Sequence, residues 1–159
     1  MINNHNYKTA FRYCEVAHGL AKKYNYEIGA VQFGRAIYSA YKFPLSDTLL
    51  HYDKAKDISN EDGDFLSTVE PSANESITYV CSGIKLSEVI SKIEENKALC
   101  SHLKVTDVEN FQFMLAQEVN ALMGGTITQA EQEKLALVLK TTEYNFTGAV
   151  HKFMTLQKH

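Results

Sequence analysis

The sequence predicts a mainly α-helical fold of the α+β class, with about five or six helices and a small β-hairpin near residues 65–82. Apolar residues recur every three or four positions over much of the chain, as they do on one face of a helix. Two Thr-x-x-Glu segments, 106–109 and 128–131, are typical of the capping boxes that begin helices. With 159 residues, 45% of them hydrophobic, a single domain over residues 1–159 is expected.

The longest apolar stripe lies between Thr128 and Leu156 and predicts one amphipathic helix of about 28 residues. A shorter helix, predicted from Thr106 to Met123, ends at two glycines and is expected to lie antiparallel to it. The longer helix would therefore leave its C-terminal part without this neighbour. We expect that part to be covered by N-terminal helices or to be an association surface, either for a partner or for a homodimer. Its residues are Val150, Phe153, Met154 and Leu156.

The N-terminal third predicts two helices separated by a break at Asn25 and Tyr26. In the first helix, a second apolar set of Tyr13, Val16 and Leu20 widens the stripe and predicts burial on more than one side. In the second helix, glycines 29 and 34 predict a close approach to another helix or a contact with something else.

The hairpin is predicted from two segments rich in β-branched and aromatic residues, 65–69 and 77–81, joined by a turn sequence at 70–76. The acidic run 57–64, which precedes them, is interpreted as a loop.

Charge is unevenly distributed along the chain. Residues 1–42 contain six lysines and arginines but only two glutamates, whereas residues 43–80 contain two lysines and eight acidic residues. Either the acidic segment neutralises the basic one, or the protein has two faces of opposite charge.

The basic N-terminal third is also rich in aromatic residues, with nine of the seventeen in positions 1–43. Three interpretations stay open: the aromatic residues are core only, they form a protein interface, or with the cations they bind nucleic acid. The predicted binding residues are Arg12, Lys22, Lys23, Tyr24, Tyr26 and Arg35.

No metal site is predicted. In the acidic run, placing Gly63 at the sixth position of a calcium loop puts Ile58 and Val69 at the terminal positions, where carboxylates are required. A zinc site built from Cys14 and His18 with Cys100 and His102 lacks the usual spacing, because the second pair is separated by one residue.

No catalytic motif and no cofactor motif is found, so no catalytic residue and no cofactor is predicted. A site assembled from distant residues would leave no such motif, and an enzyme therefore stays open as an alternative.

A cytoplasmic protein with no membrane span is expected. The three cysteines are an odd number, the chain opens without a charged-then-apolar leader, and it contains no run of eighteen apolar residues. The net charge of −3 argues against nonspecific coating of nucleic acid by the overall field.

The function predicted from these observations is that of a non-enzymatic binding or regulatory protein that blocks another protein. An inhibitor- or immunity-type protein, such as a phage or mobile-element accessory protein, is suggested by analogy of size and composition alone. The alternatives are a nucleic-acid-binding protein using the N-terminal helices and, second, an enzyme.

Overall fold

The computed structural model describes residues 7–40 and 42–141. Within these ranges every regular element is a helix, which confirms the mainly helical prediction but gives seven helices instead of five or six. The helices are α1 (Tyr7–Lys23), α2 (Gly29–Ser39), α3 (Leu45–Glu61), α4 (Phe65–Cys81), α5 (Leu86–His102), α6 (Thr106–Leu122) and α7 (Gln129–Thr141). They belong to two compact units, Met1–Gly83 and Ile84–His159. That the chain is a single domain stays a prediction.

The predicted hairpin at residues 65–82 is wrong, because α4 occupies that stretch. Asp64 begins the helix by accepting a hydrogen bond from the backbone nitrogen of Ser67 at 3.2 Å. The hydroxyl groups of Ser72 and Thr78 donate to carbonyl oxygens four residues earlier in the helix. These bonds satisfy polar groups on a face that is buried, so α4 can pack tightly despite its β-branched residues and Pro71.

The predicted loop at residues 57–64 is also shorter than expected. Helix α3 continues to Glu61, and the turn is confined to the residues just before α4. Gly63 adopts a φ of 71° there, a left-handed conformation that glycine accepts without steric cost.

In the first unit, α2 packs against both α1 and α3, and the glycines of α2 permit this. A Cβ atom at Gly29 would lie 1.8 Å from the Ser59 hydroxyl oxygen of α3. A Cβ atom at Gly34 would lie 3.2 Å from the Cys14 sulfur of α1. The predicted close approach of helices at these two glycines is confirmed.

An ion pair joins α3 to α4 inside the first unit. The Lys56 ammonium lies 2.7 Å from a carboxylate oxygen of Glu75, which is fully buried, and 3.2 Å from Asp53. Burial alone would lower the pKa of Lys56, but the charges and hydrogen bonds of Glu75 and Asp53 outweigh it and raise the pKa. The raised pKa keeps Lys56 charged, and its contact with Glu75 links α3 to α4.

In the second unit, α5 and α6 bury apolar faces against each other. Helix α5 contributes Val89, Ile93 and Cys100, and α6 contributes Phe111, Leu115 and Val119. Burial raises the pKa of the Cys100 thiol to about 11.

Two side-chain interactions join α7 to α6. Gln117 donates a hydrogen bond to Glu131 at 3.3 Å, and the Lys134 ammonium lies 4.4 Å from the centroid of the Phe113 ring. The later residue of α6 contacts the earlier residue of α7, so the two helices are antiparallel, as predicted. The predicted continuation of this helix to Leu156, with Val150, Phe153 and Met154, lies outside the described residues.

Only one of the two predicted capping boxes forms. At α7 the backbone nitrogen of Thr128 donates to Glu131 at 2.9 Å, and the backbone nitrogen of Glu131 donates to the Thr128 hydroxyl at 3.3 Å. The hydrogen bonds from Thr128 lower the pKa of Glu131. At α6 the prediction is wrong, because Thr106 is already the first helical residue and the capping position is Val105, whose side chain makes no capping hydrogen bond.

Candidate functional site on helix α1

Helix α1 has apolar residues on two sides but packs against α2 through only one of them. Phe11, Cys14 and His18 recur at helical spacing and are partly buried on the side that meets α2. The opposite side carries Tyr13, Val16 and Leu20, which are 71%, 60% and 50% exposed. The prediction that this second set is buried is therefore wrong. It assumed that another helix covers α1 on that side.

The exposed set continues past the end of the helix. Tyr24 is 70% exposed, and its backbone nitrogen still donates to the Leu20 carbonyl oxygen at 3.0 Å. Tyr13, Val16, Leu20 and Tyr24 stand at steps of three, four and four residues, so they form one face about 16 Å long at 1.5 Å per residue. We call these four residues the outer stripe.

The chain leaves α1 through a defined turn. Asn25 has a φ of 51°, the backbone nitrogen of Tyr26 donates to the Ala21 carbonyl at 2.9 Å, and that of Asn25 donates to Lys22 at 3.2 Å. These two bonds around a left-handed residue form a Schellman motif. The predicted break at Asn25 and Tyr26 is confirmed, and the motif holds Tyr24 and Tyr26 exposed at the end of the stripe.

Two cations lie along one edge of the outer stripe. Arg12 and Lys23 are eleven residues apart, which is close to three helical turns, so both lie on the same side of α1. Both are exposed, and the Lys23 ammonium lies 5.5 Å from the centroid of the Tyr24 ring. Within the described ranges neither cation forms an ion pair with a carboxylate. Lys22 is also exposed, but it lies about 100° around the helix from Lys23, on the side away from the outer stripe.

Arg35 does not join these residues, although the sequence groups it with them. It belongs to α2, is partly buried, and donates from Nε to Glu15 Oε1 at 2.9 Å. It also donates to Gln32 Oε1 at 3.4 Å, and the Gln32 amide nitrogen donates to Nδ1 of His18 at 3.3 Å. Arg35 is thus part of a polar cluster between α1 and α2.

This polar cluster also affects two histidines. Burial, followed by the positive charge of Arg35, lowers the pKa of His18 on α1 and of His51 on α3. Both rings therefore favour the neutral form, and His18 accepts its hydrogen bond in that form. The groups of the cluster hydrogen-bond to one another, as expected of polar side chains that hold two packed helices together.

Other N-terminal aromatic residues take part in packing. The rings of Phe11 and Phe43 have centroids 6.0 Å apart, and the Lys42 ammonium lies over both, at 4.7 and 5.2 Å. The ring centroids of Phe33 and the buried Tyr52 are 6.2 Å apart. The aromatic residues of the N-terminal third are thus divided between packing and the exposed surface.

Among the described residues, ion pairs with the acidic segment do not neutralise the basic segment. The pair found there between the two segments joins Glu27 of the basic segment to Lys54 of the acidic one at 2.7 Å. Glu27 is one of only two acidic residues in the basic segment, and Lys54 is one of only two basic residues in the acidic segment. The described pairs therefore leave the excess positive charge of α1 facing solvent.

Among the described residues, no group of three or more His, Cys, Asp or Glu side chains is placed to hold a metal ion. None of the described helices combines the length and the apolarity that crossing a bilayer requires. In comparisons with protein-family models, curated proteins and solved structures, nothing matches this chain.

The sequence identified Arg12, Lys22, Lys23, Tyr24 and Tyr26, and the structure exposes all five. It missed Tyr13, Val16 and Leu20 as surface residues. The signal was present as a second apolar set on α1, but apolar periodicity does not distinguish a buried face from an exposed one.

Proposed function

We propose that this is a non-enzymatic binding protein that acts on another protein, as an inhibitor or an immunity protein does. The observation that carries the proposal is the outer stripe, where two tyrosines and two aliphatic residues are at least half exposed on one helix face. Contiguous exposed apolar surface on a folded protein is typical of an interaction site.

The composition of the stripe supports a protein partner. Tyrosine and arginine are enriched among the residues that dominate binding energy at protein interfaces. Tyr13 and Tyr24 flank Val16 and Leu20, and Arg12 lies beside them, which gives large contact area on a rigid helical scaffold.

The same arrangement is less suited to single-stranded nucleic acid. Stacking requires aromatic rings at the spacing of successive bases. Here the rings of the stripe stand at its two ends, three helical turns apart, with Val16 and Leu20 between them.

Crosslinking from the stripe in cells tests the proposal. A photoreactive amino acid is placed at Val16 in one variant and at Leu50, which is 69% exposed on α3, in a matched control. We expect a discrete protein adduct from position 16, absent from position 50 and reduced by Leu20→Asp. Thermal melting of Leu20→Asp is the control, and we expect this variant to stay folded because the position is exposed. The absence of a protein adduct, or an adduct with nucleic acid, would contradict the proposal.

A further inference from the structure

We infer that the partner presents an apolar groove with acidic residues along one rim, into which α1 inserts by its outer stripe. This inference rests on the proposed function and adds the chemistry of the partner to it.

The dimensions of the stripe favour a groove over a flat surface. Stable interfaces engage some 20–30 residues on each side and bury about 800 Å² per partner. Four side chains on one helix face supply only part of that area. A partner that also contacts the edges of α1 supplies more, and binding of an amphipathic helix in a groove is a common mode built on anchors of this spacing.

The charges beside the stripe define the rim of that groove. A groove deep enough to hold Val16 and Leu20 brings one of its rims against Arg12 and Lys23. The carboxylate of α1, Glu15, is engaged by Arg35 at 2.9 Å and does not offset these cations. Acidic residues on the rim complement them, whereas a basic rim is repelled.

A second copy of this chain is a poor occupant for the same reason. If two α1 helices packed antiparallel through the stripe, Arg12 of one copy would face Lys23 of the other. If they packed parallel, the two basic edges would lie on opposite flanks of the contact, and each would face the alanine-lined edge of the other helix. The first arrangement places like charges together, and the second leaves the cations without acidic partners.

Charge reversal tests the inference on the protein that is crosslinked at position 16, after purification. The variant Arg12→Glu/Lys23→Glu reverses the basic edge, and Lys22→Glu reverses one charge on the side of the same helix that faces away from the outer stripe. We expect the double variant to slow association by about tenfold or more at low salt, with a smaller effect at high salt. Because Lys22→Glu reverses one charge and the double variant reverses two, Lys22→Glu is expected to change the association rate by less than about 1.5-fold, below the roughly threefold change that an equal effect per charge would give.

The results separate the inference from the function on which it rests. No protein adduct from position 16 overturns both. An association rate that changes by the same factor per reversed charge in the two variants, or an adduct with a second copy of this chain, overturns the inference alone. If melting shows that the double reversal unfolds the protein, Arg12→Gln/Lys23→Gln replaces it, with Lys22→Gln as its control and the same criteria.

Discussion

At the scale of single residues, two glycines in helices differ in the space available for a side chain. Gly29 begins α2 against α3, where an added Cβ atom would lie 3.0 Å from the Ala55 carbonyl oxygen and closer still to Ser59. Gly19 lies in α1 with no atom within 4 Å of such a Cβ. The same substitution therefore has opposite consequences at the two positions.

We expect Gly29→Ala to destabilise the protein by about 1–3 kcal/mol, because the helices must separate or Ser59 must move. Gly19→Ala is expected to stabilise it by about 0.5–1 kcal/mol, since alanine is a better helix former than glycine. Urea denaturation of both variants measures the free energy of unfolding. Equal effects of the two substitutions would show that α2 and α3 are not in close contact at Gly29.

His18 in the polar cluster and His51 on α3 predict a loss of stability in mild acid. The folded protein lowers the pKa of His18 and His51 below their ordinary value near 6.5, so the unfolded chain takes up protons first as the pH falls. Stability is therefore fully present above about pH 6.5 and declines below it until the pH reaches the folded pKa values.

Thermal melting from pH 8 to pH 5 measures this decline, and His18→Gln/His51→Gln should reduce its slope. Glutamine at position 18 keeps a polar group beside Gln32 but does not titrate. A slope that is the same in the double variant and in the unmodified protein would exclude these two histidines as its origin.

At the scale of elements, identical sequence signatures have different structural outcomes. The segments beginning at Thr106 and Thr128 both read Thr-x-x-Glu, yet only Thr128 makes the reciprocal hydrogen bonds. The first segment begins its helix one residue earlier, at Thr106 itself, with Val105 in the capping position. The motif shows where a helix begins to within one residue, but not which residue caps it.

We therefore expect Thr128→Ala to cost about 1 kcal/mol of stability through loss of the cap. Thr106→Ala should change stability by less than about 0.5 kcal/mol, because Thr106 is the first helical residue and does not occupy the capping position. Denaturation of the two variants under the same conditions measures the difference. Equal losses would mean that both capping boxes form in solution.

The helices could be predicted where apolar periodicity and breaks agree, as at α1, α2 and α6. Helix α4 could not, because local preference favours strands for its β-branched residues, while burial against α3 and the Asp64 cap favour a helix. Asp64 was available as a signal, but it lies in an acidic run that also fits a loop. Sequence alone identified the exposed cations and Tyr24 but not Tyr13, Val16 and Leu20, because exposure depends on which helices pack together.

At the scale of the whole molecule, a net charge of −3 coexists with a basic edge on α1. The described ion pairs are short-range and leave Arg12, Lys22 and Lys23 without a carboxylate partner. Long-range repulsion from the acidic residues acts on any polyanion that approaches, whereas a protein partner can meet the basic edge locally.

We accordingly expect weak binding to single-stranded nucleic acid, with a Kd above about 10⁻⁴ M for an oligothymidine at physiological salt, the weak end of nonspecific binding. Fluorescence anisotropy of a labelled oligonucleotide measures it. Micromolar binding that weakens steeply as salt rises, and that is lost in Arg12→Glu/Lys23→Glu, would favour the nucleic-acid alternative instead.

The buried thiol of Cys100 has a practical consequence for studying this chain. Alkylating reagents attack the thiolate, and Cys100 is both enclosed between α5 and α6 and held protonated at neutral pH by its raised pKa. Cys81 is exposed at the end of α4 and accessible to the reagent from the start. Alkylation of Cys100 is therefore expected to wait until the α5–α6 core opens. The rate of its slow phase reports the rate of that opening in the native chain.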